Sequence, residues 1–404
     1  MRVRRRSTPK GRGLAVTDWR VPLSDLDYGS EEANAVQRVI ASKWLSMGPE
    51  VHAFEQEFAA MQKAEHALAV SSATAGLHLA LLALGVGPGD EVIQPALNFV
   101  AAANMTVAIG ATPVFADISC LDEPTIDPSE VERVISPRTK AVVVMHYGGS
   151  LCRMGELTEL CVAHGIAIVE DACHAVGVAY HDARNRWPTG IMAGSIGDIS
   201  AFSFFSNKNI ASGEGGMVVT NRADLAERVR LLRSHGMTTL TWDRHKGHAA
   251  SYDVVNPGYN YRLDELHAAL GRAQLKKLDR NNRRRRNLLD SYRQAVQSLA
   301  GWTMPFADTV ENSSGHLMVI VAPDPDVRER AVQALRQSGI QSSMHYPCIA
   351  DFTGFTAGSG ENLELTRQFT RRAITLPLYP TMDSDRIKEI VEVLRAVDAK
   401  PEER

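Results

Sequence analysis

Short apolar runs bounded by turn residues recur along the first half of the chain. They are HALAVSS (66–72), DEVIQPA (90–96), ATPVFADI (111–118), KAVVVMHY (140–147), IAIVEDA (166–172), ISAFSFF (199–205) and GMVVTN (216–221). Runs this short and continuous suit strands covered on both faces. Between them, AGLHLALLALG and MGELTELCVAHG space their apolar residues at helical intervals and end on glycine, a common helix stop. Alternation of this kind predicts an α/β fold with a seven-stranded, mostly parallel sheet and helices on both sides. No internal repeat interrupts it.

Beyond about residue 260 the pattern changes. RLDELHAALGRAQLKKLDRNNRRRRNLLDSYRQAVQSL reads as one long helix. HLMVIVAP, VRERAVQALRQSG and SDRIKEIVEVLRAV then suggest a smaller α/β unit. The expected organisation is a basic tail over 1–20, a large α/β domain over 21–260, and a linking helix with a small domain over 261–404. Folding is expected to start near VPLSDLDYGSEE, where Ser30 precedes a helical pattern. The basic run Arg283 to Arg286 has no aromatic or glycine-rich loop beside it, so it reads as a solvated helix face.

Composition narrows the classes. With 404 residues and 44% hydrophobic content the chain can bury a large core. A formal net charge of −3 argues against nucleic-acid binding by bulk electrostatics. No apolar run reaches the length of a membrane span. The start, MRVRRRSTPKGRG, lacks the apolar stretch of a secretory signal. Five scattered cysteines without a C-x-x-C pair fit reduced thiols, and so a cytoplasmic protein.

Ligands of open parallel sheets sit beyond the carboxyl ends of the strands, and four loops there carry useful groups. SSATAGLH leads straight into a helix, whose free N–H groups and dipole favour a phosphate, although Ser and Thr caps are common in any case. Asp171, at the end of IVEDACHAVG, could hold a cation or a protonated ring nitrogen; a helix cap or buried ion pair reads equally well. A metal site there lacks a third ligand beside Asp171 and His174. Lys208 sits between small residues and GEGG, where partial desolvation would free its amine as a nucleophile; on spacing alone a solvent-facing loop lysine is the ordinary reading. Phe99 in ALNFVAAAN could lie flat on an aromatic ligand or simply pack in the core. Together a phosphate cradle, a stacking aromatic, an acid for a ring nitrogen and a Schiff-base lysine describe a pyridoxal 5'-phosphate (PLP) site.

With these residues in view, the chain resembles the DegT/StrS family of fold-type I, PLP-dependent sugar aminotransferases. The resemblance runs from about residue 21 to residue 396 and is carried by SKWLSMGPEVHAFE, SSATAGLHLALLALGVGPGDEVI, ISPRTKAVVVMHYGG, IAIVEDACHAVG, GSIGDISAFSFFSNKNIASGEGGMVVT, GYNYRLDELHAALGRAQLKKLD and LPLYPTM. SSATAGLH, MHYGG and the histidine of EDACHAVG look most like the members that form UDP-linked 4-amino-4-deoxy-L-arabinose. The resemblance implies that Lys208 forms the Schiff base, Asp171 pairs with the pyridinium nitrogen and Phe99 stacks on the ring. It places Thr74, Ala75 and Ser203 at the phosphate, with Asn260 reaching over from a second subunit of a homodimer. His174 stands near the ring oxygen, where many members have Gln, and His345 near the substrate. Asn98 replaces the Thr often found before the stacking aromatic.

The implied reaction moves an amino group from L-glutamate to a nucleotide-linked keto-sugar, a 4-keto sugar first. Arg262 and the loop WDRHKGH (242–248) are candidates for meeting the nucleotide's charge. A 3-keto sugar or a cyclitol ketone is the alternative acceptor. Dehydratase members carry histidine in place of the lysine, so Lys208 argues against that chemistry. A non-catalytic PLP-binding regulator would not need both Lys208 and Asp171.

Overall fold

The computed structural model describes residues 19–181, 184, 186–239, 242, 251–355 and 362–398. All seven runs become strands: β1 (His66–Val70), β2 (Glu91–Pro95), β3 (Thr112–Ala116), β4 (Thr139–Met145), β5 (Ala167–Asp171), β6 (Ile199–Ser203) and β7 (Gly216–Thr220). They form one sheet in the order β1-β7-β6-β5-β4-β2-β3. The pairs β2–β3, β2–β4, β4–β5 and β5–β6 are parallel, whereas β7 runs antiparallel to both β1 and β6. The reversal has a simple cause. The connection from β6 to β7 contains no helix to cross the sheet, and a parallel return needs such a crossover.

Why the strands read as continuous apolar runs is visible in the packing. Val143 faces one side of the sheet, in a cluster with Leu77, Leu81, Val218 and Val229, while Val142 and Val144 face the other with Ile93, Leu157 and Ile168. Both faces are covered, so both sets of alternating side chains are apolar. The helix Ala73–Ala83 lies tight against the sheet centre. A Cβ on Gly76 would stand 3.2 Å from Ala201 Cβ and 3.2 Å from a Val218 methyl.

The C-terminal part builds a second core. β8 (Met318–Val321) and β9 (Ala373–Leu376) pair antiparallel, and helices Pro325–Gln337 and Asp385–Asp398 pack on them. Met318, Ile320, Leu335, Ile374 and Leu394 form its interior. Val21 joins this core and bridges to Ile340, so a segment ahead of the large sheet is tied into the C-terminal part. The helix expected near Ser30 spans Ser30–Ser42, with Gly29 as its N-cap.

Two expectations need correction. The predicted long helix is two helices, Glu265–Leu275 and Leu278–Val296. The chain breaks at Lys277, whose buried amine turns to Glu32 at 2.7 Å instead of continuing an exposed face. The run Arg283–Arg286 is also not uniformly solvated. Arg283 and Arg284 are exposed, but Arg285 points inward and donates to the carbonyls of Gly315 and Leu378. Among the described residues no helix is long and apolar enough to cross a membrane.

Candidate active site

Five loops at one edge of the sheet enclose a cavity of about 420 Å³. Thr74, Phe99, Asp171, His174, Ser203, Lys208 and His345 all line it. Seven of the ten sequence-derived residues therefore converge, although they span more than half of the chain.

One end of the cavity is built by the turn after β1. Ser72 is the N-cap of helix Ala73–Ala83, and its hydroxyl accepts the N–H of Ala75 at 3.1 Å. Ala75 is buried and does not line the cavity; its N–H serves the cap instead. The N–H groups of Ala73 and Thr74 belong to the first turn, where helix geometry leaves donors without carbonyl partners. Ser203 closes this end from the last position of β6. Gly216 makes room, because a Cβ there would meet the backbone of Ser72 and Ala73 at 2.6 and 2.7 Å.

Asp171 ends β5 and is buried, with one oxygen accepting the Cys173 N–H at 3.2 Å. Burial raises its pKa, opposed by Cys173 and by the charges of Lys208 and His146. Behind it, the buried Glu170 accepts from Gly194, Ile196 and Gly197 and holds His146 at 2.9 Å. That fully paired network anchors the end of the strand which presents Asp171.

Lys208 reaches the cavity from the turn after β6. Its pKa is lowered by burial, an effect that Cys173 and Asp171 partly offset by favouring the charged form. A lysine so placed carries more neutral amine near pH 7 than one in water.

The residues fit a phosphorylated pyridine cofactor by a direct test. His174 Nδ1, Asn98 Nδ2 and Asn207 Oδ1 are buried atoms without a hydrogen-bond partner among the described residues, and all three residues line the cavity. Buried polar atoms are rarely left so, and here they mark places for a ligand's polar groups. Phe99, 53% exposed although it is a large aromatic, presents a free surface to the same space.

Besides Ala75, two candidates stand apart. Asn260 is exposed and Arg262 donates to Ser234 Oγ at 3.2 Å; neither lines the cavity within one chain. Of the loop 242–248, only Trp242 lies within the described residues. The structure also adds residues the sequence did not single out. Tyr346 sits beside His345 and bonds His174, and Glu214 and Cys173 share the lining. His316 touches Lys208 from more than 100 positions away, with no motif to announce it. All five cysteines are free thiols, consistent with their scattered spacing.

The cavity, its lysine and its carboxylate define the class. The chain belongs to the DegT/DnrJ/EryC1/StrS aminotransferase family, which it matches over residues 27–395. It is 40% identical over 390 residues to the spore coat polysaccharide biosynthesis protein SpsC of Bacillus subtilis (strain 168), covering 93% of this chain and 97% of that protein. Among solved structures it is similar to DesV of S. venezuelae in complex with a ketimine intermediate, at a TM-score of 0.84 and 34% identity, with 94% of this chain and 99% of that chain covered. It is also similar to DesI in the presence of its TDP-sugar product, at a TM-score of 0.81 and 30% identity, with 92% and 90% covered.

Proposed function

We propose that this aminotransferase uses PLP to move an amino group from L-glutamate to a nucleotide-linked keto-sugar, aminating a 4-keto carbon. The observation that carries the reading is the meeting of Lys208, Asp171 and the first turn of helix Ala73–Ala83 on the wall of one cavity. The similarity to a polysaccharide biosynthesis protein and to an enzyme solved with a TDP-sugar product supports the substrate class.

Ser72, Thr74 and Ser203, with the first-turn N–H groups, would hold the phosphate. Phe99 would lie on the ring, Asp171 would pair with its nitrogen, and His174 would face its oxygen. When bound, the cofactor supplies an electron sink that lets nitrogen leave one carbon skeleton and join another. The neutral amine of Lys208 accepts the α-proton of the amino donor and returns it on the amino-sugar side, which its lowered pKa favours. Burial disfavours the charge of Asp171 on its own, so a protonated ring nitrogen beside it would restore that charge and pair with it strongly. His345, which lines the cavity, would face the substrate.

We take the working unit to be a cytoplasmic homodimer. Asn260, exposed on this subunit, would then reach the phosphate in the site across the interface, and Arg262 would lie near the nucleotide.

Purified protein incubated with 2-oxoglutarate and a panel of amino-sugar nucleotides tests the reading. We expect glutamate to form with 4-amino sugars. Glutamate formed only with 3-amino sugars or amino-cyclitols would move the acceptor assignment. No glutamate from any of them would overturn the reading.

A further inference from the structure

Three buried side chains lead from helix Leu278–Val296 to the amine of Lys208, and their hydrogen bonds have one consistent direction. The Asn282 amide nitrogen donates to the Val176 carbonyl at 2.9 Å, which leaves Asn282 Oδ1 as an acceptor. The Asn209 amide nitrogen donates to that oxygen at 2.8 Å and to the Ser314 carbonyl at 3.0 Å. Asn209 Oδ1 must then accept, and its partner at 3.0 Å is His316 Nδ1. A backbone carbonyl can only accept, so the chain of assignments has fixed ends. His316 therefore carries its proton on Nδ1 and turns the Nε2 lone pair toward Lys208 Nζ, 3.3 Å away.

We propose that His316 is a positioning residue for the lysine: its Nε2, fixed as an acceptor through Asn209, takes one N–H of Lys208 and so aims the amine's lone pair into the cavity. The inference deepens the reaction proposed above and rests on the role given there to Lys208. An amine has one lone pair and free rotation about its last bond, so an acceptor at a fixed point selects one rotamer. When Lys208 has taken up a proton, the same acceptor stabilises the ammonium without moving.

The surroundings favour this state. His316 is buried, and burial, with the charges of His174, Lys208, Arg285 and His345, holds it neutral. Its ring lies 4.2 Å from that of His174, which limits its rotation. The ionisable groups that bear on Lys208 are Asp171 and Cys173 from the end of β5, and His174, His316 and His345 around them.

The test uses the full chain freed of cofactor, so it does not depend on aminotransferase activity. The pH dependence of Lys208 acetylation by trace acetic anhydride, read by mass spectrometry, gives the amine's pKa. In His316→Leu the ammonium loses its acceptor, and we expect that pKa to fall by about one unit. His316→Gln, which keeps an acceptor, should restore most of it. Nitrogen-15 NMR of histidine-labelled wild-type protein, assigned by difference from His316→Gln, should show His316 protonated on Nδ1. An unchanged Lys208 pKa in a folded His316→Leu protein, or protonation on Nε2 in the wild type, would overturn the proposal. Loss of amino transfer from every sugar with the lysine shift intact would instead count against the function alone.

Discussion

The phenol oxygen of Tyr346 lies 3.0 Å from Nε2 of His174, joining the segment ahead of Cys348 to the turn after β5 across the cavity. Burial pushes the phenol well above its ordinary range and, helped by Lys208, His345 and His146, pushes the imidazole well below its own. Both groups are neutral near pH 7 and share one proton between them. The bond also turns His174 so that its other nitrogen, Nδ1, is left for a ligand. Tyr346→Phe keeps the ring, which lies 5.8 Å from Phe99, and removes only the hydroxyl. We expect kcat/KM to fall by about tenfold with the melting temperature little changed. Steady-state kinetics alongside a thermal melt would check it; an unaffected kcat/KM would show that the bond does not orient His174.

Lys208→Ala should abolish turnover, by about 10³-fold or more, because no other neutral amine lines the cavity among the described residues. Asp171→Asn should retain the fold and lose turnover by about 10²-fold or more, since it removes the charge that would pair with a protonated ring nitrogen. Single-turnover nitrogen transfer from labelled glutamate distinguishes these losses from slow product release. Transfer at the wild-type rate in Lys208→Ala would end the assignment.

Gly216→Ala should weaken cofactor retention without touching a charged group. The added methyl would press on the backbone of Ser72 and Ala73, the turn that presents the first-turn N–H groups. The neighbours are backbone, so the helix end must shift. We expect cofactor affinity to drop by about tenfold or more, and stability by about 1–3 kcal/mol. Equilibrium dialysis and urea unfolding measure the two effects separately; a loss of stability with unchanged affinity would place the phosphate elsewhere.

Much of this was legible in the sequence because strand-end loops are local. Ser72 to Thr74, Phe99, Asp171, Ser203 and Lys208 each follow an apolar run whose end can be read directly, and a parallel sheet gathers those ends on one edge. The direction of β7 was not legible, since an apolar run has no arrow and only the absence of a crossover helix reverses it. His316 and Tyr346 were missed for another reason: they come from the C-terminal part, and nothing local to them shows that the chain folds back on Lys208. Arg285 was misread because four consecutive arginines look alike, whereas successive positions on a helix point about 100° apart.

That difference between neighbouring arginines can be measured. Arg285 is 3% exposed, burial pushes its guanidinium down to about 10, and it donates to carbonyls rather than to carboxylates. Arg285→Ala strands the carbonyls of Gly315 and Leu378 and opens a cavity beside His316, so a loss of about 2–4 kcal/mol is expected. Arg283→Ala, on the exposed side of the same turn, should change stability by about 0.5 kcal/mol or less. Equal losses in urea unfolding would mean that Arg285 does not face inward.

Acid should destabilise the site through its histidines. Burial, and after it the charge of Lys208, hold His345 down at about 4, while its Nδ1 lies 2.9 Å from Thr375 Oγ1. In the unfolded chain the imidazole titrates near 6.5. As pH falls below about 6.5 the unfolded state takes up a proton that folded His345 refuses until about 4. The unfolded state then binds more protons, so stability declines across this window, and above it His345 contributes no loss. Between pH 7.5 and 5 the decline from His345 amounts to about 2 kcal/mol. His174 and His316 are shifted in the same direction and add to it. His345→Gln removes one titrating group, so the variant should lose about 2 kcal/mol less than wild type between those two pH values. Urea unfolding of both proteins at pH 7.5 and 5 gives the comparison, and equal losses would mean that His345 is protonated in the folded state well before pH 5.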